Sequence, residues 1–196
     1  MRLPSTALAL VLSALAASTS ESQTTMKPNK SGHVAANGVN YYYAIYGKGD
    51  PLLLLQGGLG QIEMFGANLE ALARERTVIG VDLYGHGRTV LTERPMDHVA
   101  QGRDLAIVLR ELGYDKVDVL GYSFGGGVAL QLAAQHPEVV RRLALVSIGY
   151  SSDGFYPEMR PMQAQVGAAM ADMMKETPMY TSYVAIAPRP QDFPKL

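Results

Sequence analysis

The sequence predicts one α/β domain, a mostly parallel central sheet with helices on both faces. Four short apolar stretches, Leu52–Leu55, Val78–Val81, Val117–Leu120 and Leu143–Val146, read as strands, and the continuous run Leu52–Leu55 has the mark of one buried on both faces. Segments of helical period separate them, and strand–helix alternation of this kind builds a parallel sheet. A chain of 196 residues can close one sizeable core, and two would be a squeeze.

The first residues read as a leader rather than as part of that domain. Arg2 is followed by the apolar run Ala7–Ala17, and Ala14-Leu15-Ala16 fits the small-x-small pattern of a cleavage site. Residues 1–25 are therefore expected to be a signal peptide and leader, with the product exported to the periplasm or secreted. Residues 26–37 are polar with little pattern and read as a linker. In Val39–Ile45, apolar and aromatic positions alternate, which predicts a strand pairing as an antiparallel edge.

Past the turn Gly47–Pro51 and the first buried strand, Met64, Phe65, Leu69 and Leu72 form a helical stripe within about 61–76. Leu105, Val108, Leu109 and Leu112 mark a second helix, ended by Gly113. Phe124–Gln135 reads as a third despite three glycines in its first turn. Beyond Ile148 the character changes, with six of the ten methionines falling between 155 and 183. Val166, Met170, Met173 and Met174 fit a helix over about Gln163–Lys175, either packed on the core or beginning a lid over a pocket.

Composition narrows the chemistry. Seventeen basic against eighteen acidic residues, with no basic run, give no nucleic-acid-binding surface. The lack of cysteine removes thiol catalysis and cysteine-ligated metals, and no histidine–carboxylate cluster has ligand spacing, so no metal is expected. No apolar run is long enough for a stable membrane span. Neither glycine-rich nucleotide fingerprint is present, and no cofactor is expected.

The strongest positive signal is Gly121-Tyr122-Ser123-Phe124-Gly125 at the junction of an apolar strand and a helix. In that setting G-x-S-x-G makes a tight turn that lifts a serine out of the sheet, and the flanking glycines let backbone approach closely. The competing reading is a purely structural glycine-rich turn. A second glycine-rich loop, Gln56–Gly60, follows the strand Leu52–Leu55 and could present backbone N–H groups to an oxyanion. Gly58 and Phe124 are the expected donors, with Gly57, Gly121 and Gly125 supporting the turns.

On these residues the chain resembles the N-terminal part of an α/β-hydrolase, in the branch of small esterases, non-haem haloperoxidase-like enzymes and proline iminopeptidases. The matching stretches are Pro51–Gly60, Val81–Thr89 and Leu120–Gly127 continuing to Val146, within roughly residues 38–150. The resemblance implies an α/β-hydrolase fold incomplete at its C-terminus, with 151–196 as the start of a helical cap or lid. It places the nucleophile on Ser123, the oxyanion loop on Gly57 and Gly58, and a D-x-x-G-x-G-x-S turn on Asp82, Gly85, Gly87 and Thr89. Threonine replaces the usual serine there, and Gln56 stands where the family usually has histidine.

The implied activity is hydrolysis of a carboxylic ester or related small-molecule acyl substrate. A perhydrolase or haloperoxidase-like enzyme, a proline iminopeptidase-like enzyme, and an inactive binding or assembly module are the alternatives. A serine hydroxyl needs a base, and in this family the histidine follows the nucleophile and the acid. His33, His86, His98 and His136 do not occupy that place: His33 lies in the linker, His86 in the turn after the second buried strand, His98 near a helix start and His136 in a loop. Asp153 is a candidate acid, with a solvated loop position as its alternative, and Asp82 is expected to organise a turn by hydrogen bonding. The histidine, and with it the usual acid, is thus expected to be missing from this chain; the oligomeric state is left open.

Overall fold

A computed structural model describes residues 26–151, 154, 156–158, 161, 167 and 170–196. The expected leader, Asp153 and much of the expected Gln163–Lys175 helix lie outside the described residues. Among these residues six strands form one sheet: β1 (Lys30–Ala36), β2 (Val39–Tyr46), β3 (Asp50–Leu55), β4 (Arg76–Val81), β5 (Val117–Tyr122) and β6 (Val140–Val146). Their spatial order is β1-β2-β4-β3-β5-β6, with β3 to β6 parallel and β1 and β2 antiparallel.

The apolar run of β3 explains the layering. Successive side chains of a strand face opposite sides. Leu53 and Leu55 enter the larger core beneath helices α2 (His98–Glu111) and α3 (Phe124–Gln135). Leu52 and Leu54 enter a second core against α1 (Gly66–Ala73) and the short 3-10 turn Ile62–Phe65. Helix α2 starts where Asp97 accepts from the N–H groups of Val99 and Ala100, and it ends at Gly113 with φ +85°.

Several expectations need correction. The 26–37 segment is no simple linker, because β1 pairs with Val39–Ile45 of β2 through the turn Asn37-Gly38. Both turn residues have positive φ, +46° and +82°, the tight hairpin geometry that an Asn-Gly pair favours. That dipeptide was the available signal, since the strand itself has almost no alternation. Strand β2 is consequently interior, and β1 holds the edge. The stripe over 61–76 divides into a 3-10 turn and α1 because Gly66, at φ +48°, breaks the helical path. At the other edge, β6 is apolar but exposed, with Leu143, Leu145 and Val146 36–43% accessible.

The C-terminal segment forms α4 (Ala171–Met174), α5 (Pro178–Ile186) and a final 3-10 turn (Pro190–Lys195). The Thr177 hydroxyl caps α5 by accepting from Tyr180 N–H, and Pro178 fills the first turn. Ala171, Tyr183, Ala187 and Phe193 form a small cluster against which Leu59 packs. Leu196 touches both this cluster and the main core. The segment therefore lies against the loop after β3, at the C-terminal end of the sheet.

Candidate active site

Three turns meet at that end of the sheet, one after each of β3, β4 and β5. After β5 the chain reverses into α3 at Ser123, whose φ of +49° and ψ of −117° are strained for any residue but glycine. Ser123 N–H donates to Val146 O at 2.9 Å, while Ser123 O accepts from Gly126 N–H at 2.8 Å. The flanking glycines are sterically required. A Cβ on Gly121 would lie 2.5 Å from Gly125 O, and one on Gly125 would lie 2.4 Å from Gln56 O. Ser123 is partly exposed, and among the described residues its hydroxyl makes no hydrogen bond.

The loop after β3 lies directly beside this turn. A Cβ on Gly57 would be 3.6 Å from the Ser123 Cβ, and one on Gly58 would be 3.7 Å from the Phe124 Cβ. Among the described residues, neither Gly58 N–H nor Phe124 N–H donates a hydrogen bond. Phe124 N–H also opens a twelve-residue helix, whose N-terminus favours negative charge. A serine hydroxyl thus adjoins two backbone donors that no described residue engages.

The chain belongs to the alpha/beta hydrolase fold family. The family model matches residues 50–177, more than half of the sequence. The chain is 43% identical over 112 residues to a 2-hydroxymuconate semialdehyde hydrolase of Pseudomonas putida, covering 54% of this chain and 39% of that protein. It is 36% identical over 115 residues to a soluble epoxide hydrolase of Corynebacterium sp. strain C12, covering 57% and 39%. Among solved structures, Est816, described as an N-acyl homoserine lactone degrading enzyme, superposes with a TM-score of 0.59 at 26% identity, covering 77% of this chain and 54% of that one. The chain therefore spans about two-fifths of the length of these two curated relatives.

Within this alpha/beta hydrolase fold, the turn after β4 braces the loop after β3. The buried Asp82 carboxylate accepts from Ile62 N–H at 3.0 Å and from Arg88 N–H at 2.9 Å, as expected of a turn organiser. The Arg88 guanidinium bridges Asp82 to Glu63 at 3.2 and 2.9 Å and stacks over Tyr42. Burial pushes the Asp82 carboxyl up to about 6, against the pull of Arg88 and the two backbone donors. The Thr89 hydroxyl donates to Asp82 O and accepts from Tyr42 N–H, which ties this turn to β2.

None of the histidines bonds to Ser123. His86 is buried, its Nδ1 lies 2.8 Å from Tyr84 O, and its ring stacks on Phe124 at 5.0 Å. Desolvation lowers it to about 4, so this imidazole is neutral at pH 7. His98, the first residue of α2, packs on Phe124 at 4.4 Å, with a buried Nε2 that has no partner among the described residues. His136 pairs with Glu138 in the loop before β6, and His33 is in β1 against Tyr42. The packing of His86 and His98 around Phe124 was not legible in the sequence, because three segments distant in the chain create it. Among the described residues no group of three His, Asp or Glu gathers as a metal site.

Proposed function

We propose that the protein is a serine hydrolase acting on a carboxylic ester or a related small-molecule acyl substrate. The observation that carries this reading is the strained Ser123 beside the Gly58 and Phe124 N–H groups, which have no acceptor among the described residues. Ser123 Oγ attacks the acyl carbon, and its proton passes through a base to the departing alkoxide as the C–O bond breaks. Water then releases the acid from the acyl-serine and regenerates the hydroxyl. The developing oxyanion is met by two donors already in place.

None of the four histidines bonds to Ser123, so this reading requires a base other than these, and Asp153, outside the described residues, is its candidate acid. The leader pattern of residues 1–25 supports export to the periplasm or beyond. Among the described residues no helix is long and apolar enough to cross a membrane.

The test is hydrolysis of p-nitrophenyl esters by the full-length protein and its Ser123→Ala variant. Loss of turnover by about 10³-fold or more is expected for a nucleophile. Full activity in the variant would refute the reading. A folded protein with no turnover on any acyl probe would favour the binding or assembly module instead.

A further inference from the structure

The loop that carries Gly58 has little stiffness of its own, since residues 57, 58 and 60 are all glycine. Something must hold its N–H groups on the same point as Phe124 N–H. At the root of the loop, the Gln56 side chain is 2% exposed and turned away from solvent. In the amide orientation that satisfies both groups, its Nε2 donates to Val81 O and its Oε1 accepts from Leu83 N–H, both at 2.9 Å. The Gln56 backbone O accepts from Gly125 N–H at 3.0 Å, inside the first turn of α3. One residue thus joins the end of β4, the start of the loop and the helix that begins beside Ser123.

The far end of the loop is held by the same stretch of β4. Ile62 N–H donates to the Asp82 carboxylate, and Asp82 lies between the two partners of the Gln56 amide. Val81, Asp82 and Leu83 therefore grip both ends of a five-residue span, 57–61. Within it, Gly60 N–H donates to Gly57 O at 3.2 Å, and a Cβ on Gly60 would crowd the Gln56 side chain at 3.2 Å.

We propose that Gln56 is the positioning residue of the oxyanion loop, registering Gly58 N–H against Phe124 N–H through its amide on β4 and its carbonyl on α3. This rests on the reading of those two N–H groups as the oxyanion donors. The role requires a donor and an acceptor on one planar group. Glutamine supplies both at every pH. A glutamate supplies both only while protonated, because the ionised carboxylate has no hydrogen to give Val81 O. Among the described residues, the ionisable groups around this position include Asp82, Arg88 and Glu63 on one side and, on the other, Tyr122 against Gly57 and His86 and His98 packed on Phe124.

Gln56→Glu and Gln56→Met in the full-length protein separate positioning from simple folding. Turnover of p-nitrophenyl butyrate is normalised to the fraction of protein that is folded, and KM is followed separately. Gln56→Met should lower kcat by about 10–100-fold with KM changed less than about threefold, because a misaimed donor is felt mainly in the transition state. For Gln56→Glu, the kcat ratio to wild type should lie near one at acid pH. It should fall by about tenfold or more as pH rises through the carboxyl's pKa, which burial places above the usual ~4.3. A flat ratio across pH, or both variants within threefold of wild type, would overturn the proposal.

Amide hydrogen exchange over residues 57–62 provides a readout independent of turnover. Gln56→Met should speed it by about tenfold or more while β1 and β2 stay unchanged, a local rather than a global loosening. If Ser123→Ala retains turnover but this exchange still rises, the hydrolase reading has failed and Gln56 still positions the loop. Unchanged exchange would reject Gln56 as the brace.

Discussion

Leu52–Leu55 and Leu143–Val146 are alike as sequence, each a four-residue apolar run in a parallel part of the sheet, yet they occupy opposite environments. Leu52 to Leu55 are 0–6% exposed at the sheet centre, whereas Leu143, Leu145 and Val146 are 36–43% exposed at its edge. An apolar run states what a strand requires on its two faces; the neighbours decide whether it is provided. The chemistry follows the covered side. All three turns of the candidate site leave β3, β4 or β5, whose backbones are locked between cores or neighbouring strands. An elbow as strained as Ser123 persists only when its surroundings over-determine it.

The sharpest way to break the comparison is truncation on each strand. Leu53→Ala should cost about 2–5 kcal/mol in denaturant unfolding, the range for a buried leucine with both transfer and cavity losses. Leu145→Ala should cost less than about 1 kcal/mol, since its side chain already meets solvent. Equal costs would show that β6 is covered in solution. Next in size is Gly125→Ala, which drives a methyl into Gln56 O and Leu55 O at 2.4 and 2.6 Å and should destabilise by about 1–3 kcal/mol. Gly113→Ala, with nothing within 4 Å of the new methyl, should cost only about 1 kcal/mol through its positive φ.

The smallest expected effect compares the two ends of the sheet through their carboxylates. Asp82, at the site end, has its pKa raised by desolvation to about 6. Folding then takes up a proton, and the associated stability is complete below the unfolded value near 3.8 and lost as pH rises toward 6. Asp118, at the opposite end, is held down to about 2 by hydrogen bonds from Arg141 and Arg76, against desolvation. Its contribution is complete above about 3.8 and lost as pH falls toward 2. Thermal midpoints between pH 3 and 7 should therefore lose opposite slopes in Asp82→Asn and Asp118→Asn. The same slope change in both variants would remove the distinction.

How much of this was legible in the sequence depended on whether a feature is local. The helix Phe124–Gln135 was readable to its limits, and the Ser123 turn and the glycines at 57 and 58 were identifiable, because each is written in consecutive residues. Strand β1 was missed because Lys30–Ala36 is specified by its pairing with β2 and not by its own alternation. The exposure of β6 depends on what lies beside it, and no run of leucines records that. The brace at Gln56 likewise joins residues 25 and 69 positions apart, so the sequence could show an unusual residue at that place without showing what it holds.

The central claim is that Ser123 is an activated nucleophile, and a fluorophosphonate probe followed by peptide mass spectrometry addresses it most directly. With the protein isolated from its native source, one adduct per chain is expected, on the peptide containing Gly121–Gly125, and it should vanish in Ser123→Ala. A folded protein that takes up no probe, or carries it on another residue, would contradict the assignment.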